Sequence, residues 1–243
     1  QGATATEYVL PKLISPNLID YSVLIAFATK SDYLYGKKLV ACGDSITDAY
    51  DLEANNGSHI KSYAEITADR HSMVFTKNAI SGSTMAYNEG GNSPISTSAF
   101  SNTRYLDLPE FDYLTLWFGW NDATYSQLGT IDDTDNTTFY GAYKKVLDYL
   151  ITNNPTKKIG IVVPYGSAKI EPFAQAVRDI SKMCGVPCLD LRDYNECSAF
   201  WEKTDGNPAI VARRDAMTFD TTHPNKAGHE FLSTIYDAFI KRL

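Results

Sequence analysis

Short, continuous apolar runs alternate along this chain with longer stretches in which apolar side chains recur every three or four positions. Five runs read as strands: "KKLVACG" (37–43), "MVFTKNA" (73–79), "DYLTLWFG" (112–119), "KKIGIVVP" (157–164) and "VPCLDLR" (186–192). Most are unbroken and do not alternate strictly, as expected of strands covered on both faces. Between them lie helical patterns. Phe139, Tyr143, Val146, Leu147 and Leu150 share one stripe that ends at Asn154-Pro155. A second stripe, Phe173, Ala176, Val177 and Ile180, closes at Gly185, and a last helix is expected to turn Phe231, Ile235, Ala238 and Phe239 toward the sheet. The alternation predicts an α/β fold, a three-layer α/β/α sandwich around a mainly parallel five-stranded sheet.

Two regions break the rhythm. Residues 1–36, with Pro11 and Pro16, read as an arm or small added element ahead of a domain spanning 37–243. Residues 80–111 form a long stretch rich in Gly, Ser and Asn, and a loop of that length inside a domain is usually functional or mobile.

Composition narrows the function classes. The 243 residues, 44% of them hydrophobic, suffice for one sizeable core. Net charge is −7 with both signs interspersed, so no basic face for nucleic acid is expected. No run approaches the ~18 apolar residues that would span a bilayer. Cys42 reads as a small core residue. Cys184, Cys188 and Cys197 lack the spacing and histidine pair of a zinc site, and a disulfide among them stays open. No metal and no cofactor is expected. The chain starts with Gln, which suggests a processed or excised chain, and a secreted, cell-surface or virion setting is favoured over the cytoplasm.

Ligands of open α/β sheets bind beyond the carboxyl ends of the strands. There the punctuation becomes chemical. The first strand ends in Gly43-Asp44-Ser45, the second in "NAISGST" with Gly82, the third in "GWND" with Asn121, and "DTTHPN" precedes the last helix with Asp220 and His223. Each has a plain alternative, since Gly, Asn, Asp and Ser dominate turns and helix caps in any protein. Chance must nonetheless place a serine, two oxyanion donors and an Asp-x-x-His each at the correct end of an element.

In these four segments the chain resembles the SGNH hydrolases, also called GDSL esterases and lipases, over residues 37 to 243. "GDSIT" is similar to that family's nucleophile segment, "NAISGST" to its glycine segment, "GWND" to its asparagine segment and "DTTHPN" to its Asp-x-x-His segment. The resemblance implies a flavodoxin-like α/β/α fold and ester hydrolysis through Ser45, with His223 as the base and Asp220 orienting it. It implies an oxyanion hole built from the backbone N–H groups of Ser45 and Gly82 and the side-chain amide of Asn121. Asp44, Trp120 and Asp122 are weaker candidates, placed beside the site as substrate-binding residues. His59, His71 and His229 read as surface or structural.

The substrate is less legible. Sixteen tyrosines, three tryptophans and a polar 80–111 stretch lean toward short acyl groups, acetyl above all, on carbohydrate. A lipase, lysophospholipase or thioesterase with the same triad is the alternative. A non-catalytic glycan-binding module of a surface or phage-tail protein is the alternative of another class. The expected partner is thus a small ester or an acetylated glycan.

Overall fold

The computed structural model describes residues 32–50, 59–87, 98–193 and 207–243. β1 (Lys38–Gly43) lies inside a five-stranded sheet with β2 (Val74–Ala79) on one side and β3 (Tyr113–Trp117) on the other; β4 (Lys158–Val163) and β5 (Cys188–Asp190) continue beyond β3. The order is β2–β1–β3–β4–β5, and every neighbouring pair is parallel. That is the doubly wound, flavodoxin-like order, and its topological switch falls between β1 and β3. The sheet is parallel throughout, so the expected "mainly parallel" understates it.

Alternate residues of β1, β3 and β4 feed two separate cores, whereas β2, at one edge, has no buried residue. Val40 and Cys42 of β1, Leu114 and Leu116 of β3, and Ile159, Ile161 and Val163 of β4 face one side. There they meet α4 (Phe139–Asn153) and α5 (Glu171–Cys184). Leu39, Ala41, Tyr113, Trp117 and Val162 face the other side, toward α2 (Tyr63–Arg70) and α7 (Lys226–Arg242). Phe139, Tyr143, Val146 and Leu147 of α4 are wholly buried, and each such side chain contributes about 1.5–3 kcal/mol over leaving it in water. Those contacts dock the helix.

The face of α7 differs from the apolar stripe expected of it. Leu232, Tyr236, Phe239 and Ile240 are buried together with His229 and Ser233, whereas Phe231 and Ile235 are only partly covered and Ala238 is exposed. The physical reason is polar. α2 satisfies the buried polar groups of α7: Tyr63 N–H donates to His229 Nδ1 at 3.3 Å, and Arg70 donates to Ser233 Oγ at 3.1 Å.

The 80–111 stretch also departs from the reading of a purely polar loop. Met85, Ala86 and Phe100 are fully buried in the first core, Ala99 is fully buried beside Phe100 in sequence, and a short 3₁₀ turn covers Arg104–Leu106. Residues 88–97 lie outside the described residues. Of the segment 1–36, residues 1–31 also lie outside them; Leu34 is fully buried in the second core, and Asp32 pairs with His71. Two helices had no strong apolar signal: α2, and α6 (Pro208–Met217), which has no buried residue.

Candidate active site

β1 ends at Gly43, and the chain turns at once into a one-turn helix, α1 (Ser45–Asp48). A Cβ on Gly43 would stand 2.1 Å from Thr47 Oγ1, so only glycine lets the helix fold back so tightly on its strand. Asp44 caps that helix, its Oδ1 accepting from Ile46 N–H at 3.0 Å. Ser45, next in the chain, is partly exposed on the carboxyl rim of the sheet.

The partner of Ser45 arrives from far along the chain. A loop between α6 and α7 closes on itself through an antiparallel bridge of Thr218 with Pro224, and within it His223 Nε2 lies 2.9 Å from Ser45 Oγ. His223 Nδ1 lies 2.8 Å from Asp220 Oδ2, while Asp220 Oδ1 accepts from the backbone N–H groups of His223 and Thr222 at 2.8 and 3.1 Å. Partial burial pulls the Asp220 carboxyl upward, but these hydrogen bonds and the imidazole outweigh it and hold the group below its ordinary value. An ionised carboxylate only accepts, so Nδ1 carries the proton and Nε2 presents its lone pair to the serine hydroxyl. Tyr165, following β4, steadies the loop by donating its hydroxyl to Thr222 O at 2.9 Å. Thr221 pays locally, with φ at 71°, a left-handed conformation unusual for a β-branched residue.

The glycine and asparagine segments meet beside the serine. Gly82 has φ of 80° in a turn where Ser83 N–H donates to Ile80 O at 3.0 Å; that dihedral favours glycine. Asn121, which precedes the short helix α3 (Asp122–Tyr125), donates from Nδ2 to Ser83 O at 3.1 Å and reaches Asp44 Oδ2 at 3.4 Å. Two acceptors around one nitrogen fix which end of the amide faces this way. The bonds also bring the neighbours of Gly82 and of Ser45 onto one residue. Among the described residues, the backbone N–H groups of Ser45 and Gly82 have no acceptor.

Beneath this rim sit two buried acids. Burial pushes the Asp44 carboxyl up to about 7 against the Ile46 hydrogen bond, and the charge of Asp122 adds to the rise. Burial likewise lifts Asp122 to about 6, although its oxygens accept from Ala86 N–H at 2.9 Å, from Met85 N–H at 2.9 and 3.1 Å, and from Ser126 Oγ at 3.1 Å. With 1% and 0% of their surface exposed, Asp44 and Asp122 offer a substrate almost no area, whereas Trp120 is partly exposed. Its ring is tilted against Tyr165 with centroids 6.3 Å apart.

Sequence reasoning missed two residues that shape the rim. Arg104 donates to Ser83 Oγ at 3.1 Å and to both oxygens of Asn78 at 2.8 Å, tying the end of β2 to the Gly82 turn. Asp48, the last residue of α1, accepts from Ser81 Oγ at 2.8 Å. An Asp in "GDSITD" and an Arg in "SNTRY" carry no spacing signal by themselves. His71 and His229 are both buried, His71 between Asp32 and Asp237, while His59 stands exposed near Asp48. Cys42, Cys184 and Cys188 are free, and Cys197 lies outside the described residues. Among the described residues, no group of three or more His, Cys, Asp or Glu side chains is placed to hold a metal ion, and no helix is long and apolar enough to cross a membrane.

Comparison with known proteins places this geometry in context. The GDSL-like lipase/acylhydrolase family model matches residues 41–231. A solved structure of a protein from Lactobacillus plantarum is 26% identical, with a TM-score of 0.65 over 86% of this chain and 99% of that one. A Bacteroides ovatus protein assigned to the GDSL-like lipases is 20% identical, with a TM-score of 0.61 over 85% of this chain and 99% of that one. An active-site mutant of a family two carbohydrate esterase from Clostridium thermocellum is 19% identical, with a TM-score of 0.58 over 86% of this chain and 64% of that one. No curated protein sequence matches significantly.

Proposed function

The chain belongs to the GDSL-like lipase/acylhydrolase family, and within it we propose a serine carboxylic-ester hydrolase that removes short acyl groups, acetyl above all, from carbohydrate. One observation carries the reading: Ser45 Oγ stands 2.9 Å from an imidazole whose far nitrogen is held by Asp220. A hydroxyl is a weak nucleophile at neutral pH and needs such a base.

Ser45 Oγ attacks the ester carbonyl carbon as its proton passes to His223 Nε2. The new charge on the carbonyl oxygen is met by the N–H groups of Ser45 and Gly82 and by Asn121 Nδ2, which gives up its long 3.4 Å bond to Asp44 for a better acceptor. As the tetrahedral adduct collapses, the imidazolium returns the proton to the departing alcohol. Water then attacks the acyl-serine by the same route and frees the acid. Asp220 keeps the ring in its working tautomer and stabilises the imidazolium. Asp44 and Asp122 act from below, capping the serine helix and holding the Met85–Ala86 backbone.

The short-acyl carbohydrate reading is supported by the partly exposed Trp120 face and by the likeness in fold to a carbohydrate esterase. Acetate release from a panel of acetylated polysaccharides, measured beside nitrophenyl esters of increasing chain length, tests it. Turnover should be highest with acetyl and fall as the chain lengthens. A preference for long chains would move the assignment to a lipase, and no fluorophosphonate labelling of Ser45 would move it to a glycan-binding module.

A further inference from the structure

The turn that carries Gly82 is tied down on both sides of the glycine. Ser83, after it, accepts from Arg104 and from Asn121. Ser81, before it, donates its hydroxyl to Asp48 Oδ2 at 2.8 Å. Asp48 ends the short helix that Ser45 begins. One carboxylate therefore links the segment bearing the nucleophile to the segment bearing the glycine N–H.

That carboxylate is itself restrained. Its side chain is 14% exposed; Lys77 Nζ lies 3.4 Å from Oδ1 and donates to the Asp48 backbone carbonyl at 2.7 Å. His59 Nδ1 lies 3.4 Å from the same Oδ1 and 3.2 Å from the same carbonyl. With Oδ1 facing Lys77 and His59, Oδ2 is left for the Ser81 hydroxyl. A left-handed Ala49, at φ of 56°, stops the helix directly after Asp48, and its N–H donates back to Ser45 O.

We propose that Asp48, through Ser81, is a positioning residue that sets the separation between the Ser45 and Gly82 N–H donors. The inference rests on the esterase reading given above. A peptide N–H helps a developing oxyanion only when held at hydrogen-bond distance and aimed at the charge, so a loosened turn costs rate more than substrate binding. Asp48 touches no reacting atom in this scheme. It acts through the turn.

The test is a double-mutant cycle on the full chain, assayed with a nitrophenyl acetate. Asp48→Ala and Ser81→Ala should each lower kcat by about 10-fold with KM little changed, a smaller loss than the 10²–10³ of deleting a donor outright. The double variant should lose no more than either single one, because both remove the same link. Asp48→Asn, which keeps an acceptor oxygen for Ser81, should recover most of the rate. Affinity for an alkylboronic acid, which forms a tetrahedral adduct on Ser45, should weaken in step with kcat. A purely structural Asp48 would lower the melting temperature without that parallel, and independent additive losses or a loss confined to KM would overturn the proposal. Ser81→Ala, a small change at a partly buried turn position, keeps the test valid should Asp48→Ala fold poorly. If the wild-type chain neither hydrolyses esters nor takes up fluorophosphonate, the esterase reading falls. If it does both and Asp48→Ala is unimpaired, the positioning role alone falls.

Discussion

Asp220 grips His223 twice: one carboxylate oxygen lies 2.8 Å from the ring at Nδ1, and the other accepts from the backbone N–H of the same histidine at 2.8 Å. Three residues of separation suffice for both bonds because the loop between them makes a tight left-handed turn at Thr221. The ring is thereby fixed in rotation and in tautomer. The carboxylate achieves this with 45% of its side chain exposed, so geometry rather than deep burial secures it.

Replacing that carboxylate by an amide keeps the shape and spoils the polarity. Asp220→Asn should fold normally yet lower kcat by about 10³–10⁴, since the amide nitrogen favours the wrong imidazole tautomer. Steady-state kinetics with circular dichroism of both proteins checks this. A loss below tenfold would remove Asp220 from the triad.

Ser45→Ala removes the attacking atom and nothing that holds the fold. Ester hydrolysis should drop by about 10⁴ or more and fluorophosphonate labelling should vanish, with the melting temperature nearly unchanged. Retained turnover would place the nucleophile elsewhere.

Asn121 has a single amide shared by Ser83 O and Asp44 Oδ2. Asn121→Ala should cut kcat by about 10²–10³ while KM moves little, because the lost donor matters most once charge has developed. A change confined to KM would argue for substrate binding instead.

His229 gives the fold a pH dependence of its own. Burial, with the charges of Lys77 and His223 adding to it, holds the imidazole down to about 3, and its Nδ1 accepts from Tyr63 N–H, which a protonated ring cannot do. A histidine depressed in the folded state stabilises fully above its unfolded value of about 6.5. That contribution is lost as pH falls from there toward 3, by up to ~1.4 kcal/mol per unit. Urea denaturation between pH 7 and 4 should therefore show a slope for the wild type that is shallower in His229→Gln. Equal slopes would contradict it.

Trp120 is the remaining handle on the substrate. Trp120→Ala should raise KM for an acetylated oligosaccharide about tenfold, the worth of ~1.4 kcal/mol, and leave nitrophenyl acetate nearly untouched. Equal effects on both would make it a packing residue against Tyr165.

How far the sequence reaches is clearest at particular residues. β1, β3 and β4 were legible because burial on both faces demands unbroken apolar runs. β2, an edge strand, has no buried residue and offered only Val74 and Phe75 at its start. The stripes of α4 and α5 were legible because their buried positions are nearly all apolar. α2 was not, since its buried face is Tyr63, Ala64, Thr67 and Ala68, too small and too polar to register as a stripe. The face of α7 was misjudged for the same reason: His229 and Ser233 are buried with their polar groups satisfied across space, and hydrophobicity alone cannot foresee a partner.

By itself the sequence determined the parallel α/β plan, and which four strand and loop ends carry polar residues, because local backbone needs and apolar periodicity are written in neighbouring positions. Only tertiary structure decided that His223 comes within 2.9 Å of Ser45 across 178 positions of chain, that Asp44 and Asp122 lie buried beneath the rim, and that Asp48 reaches Ser81. Those relationships depend on strand order and on the angle at which loops leave the sheet, which no local pattern encodes.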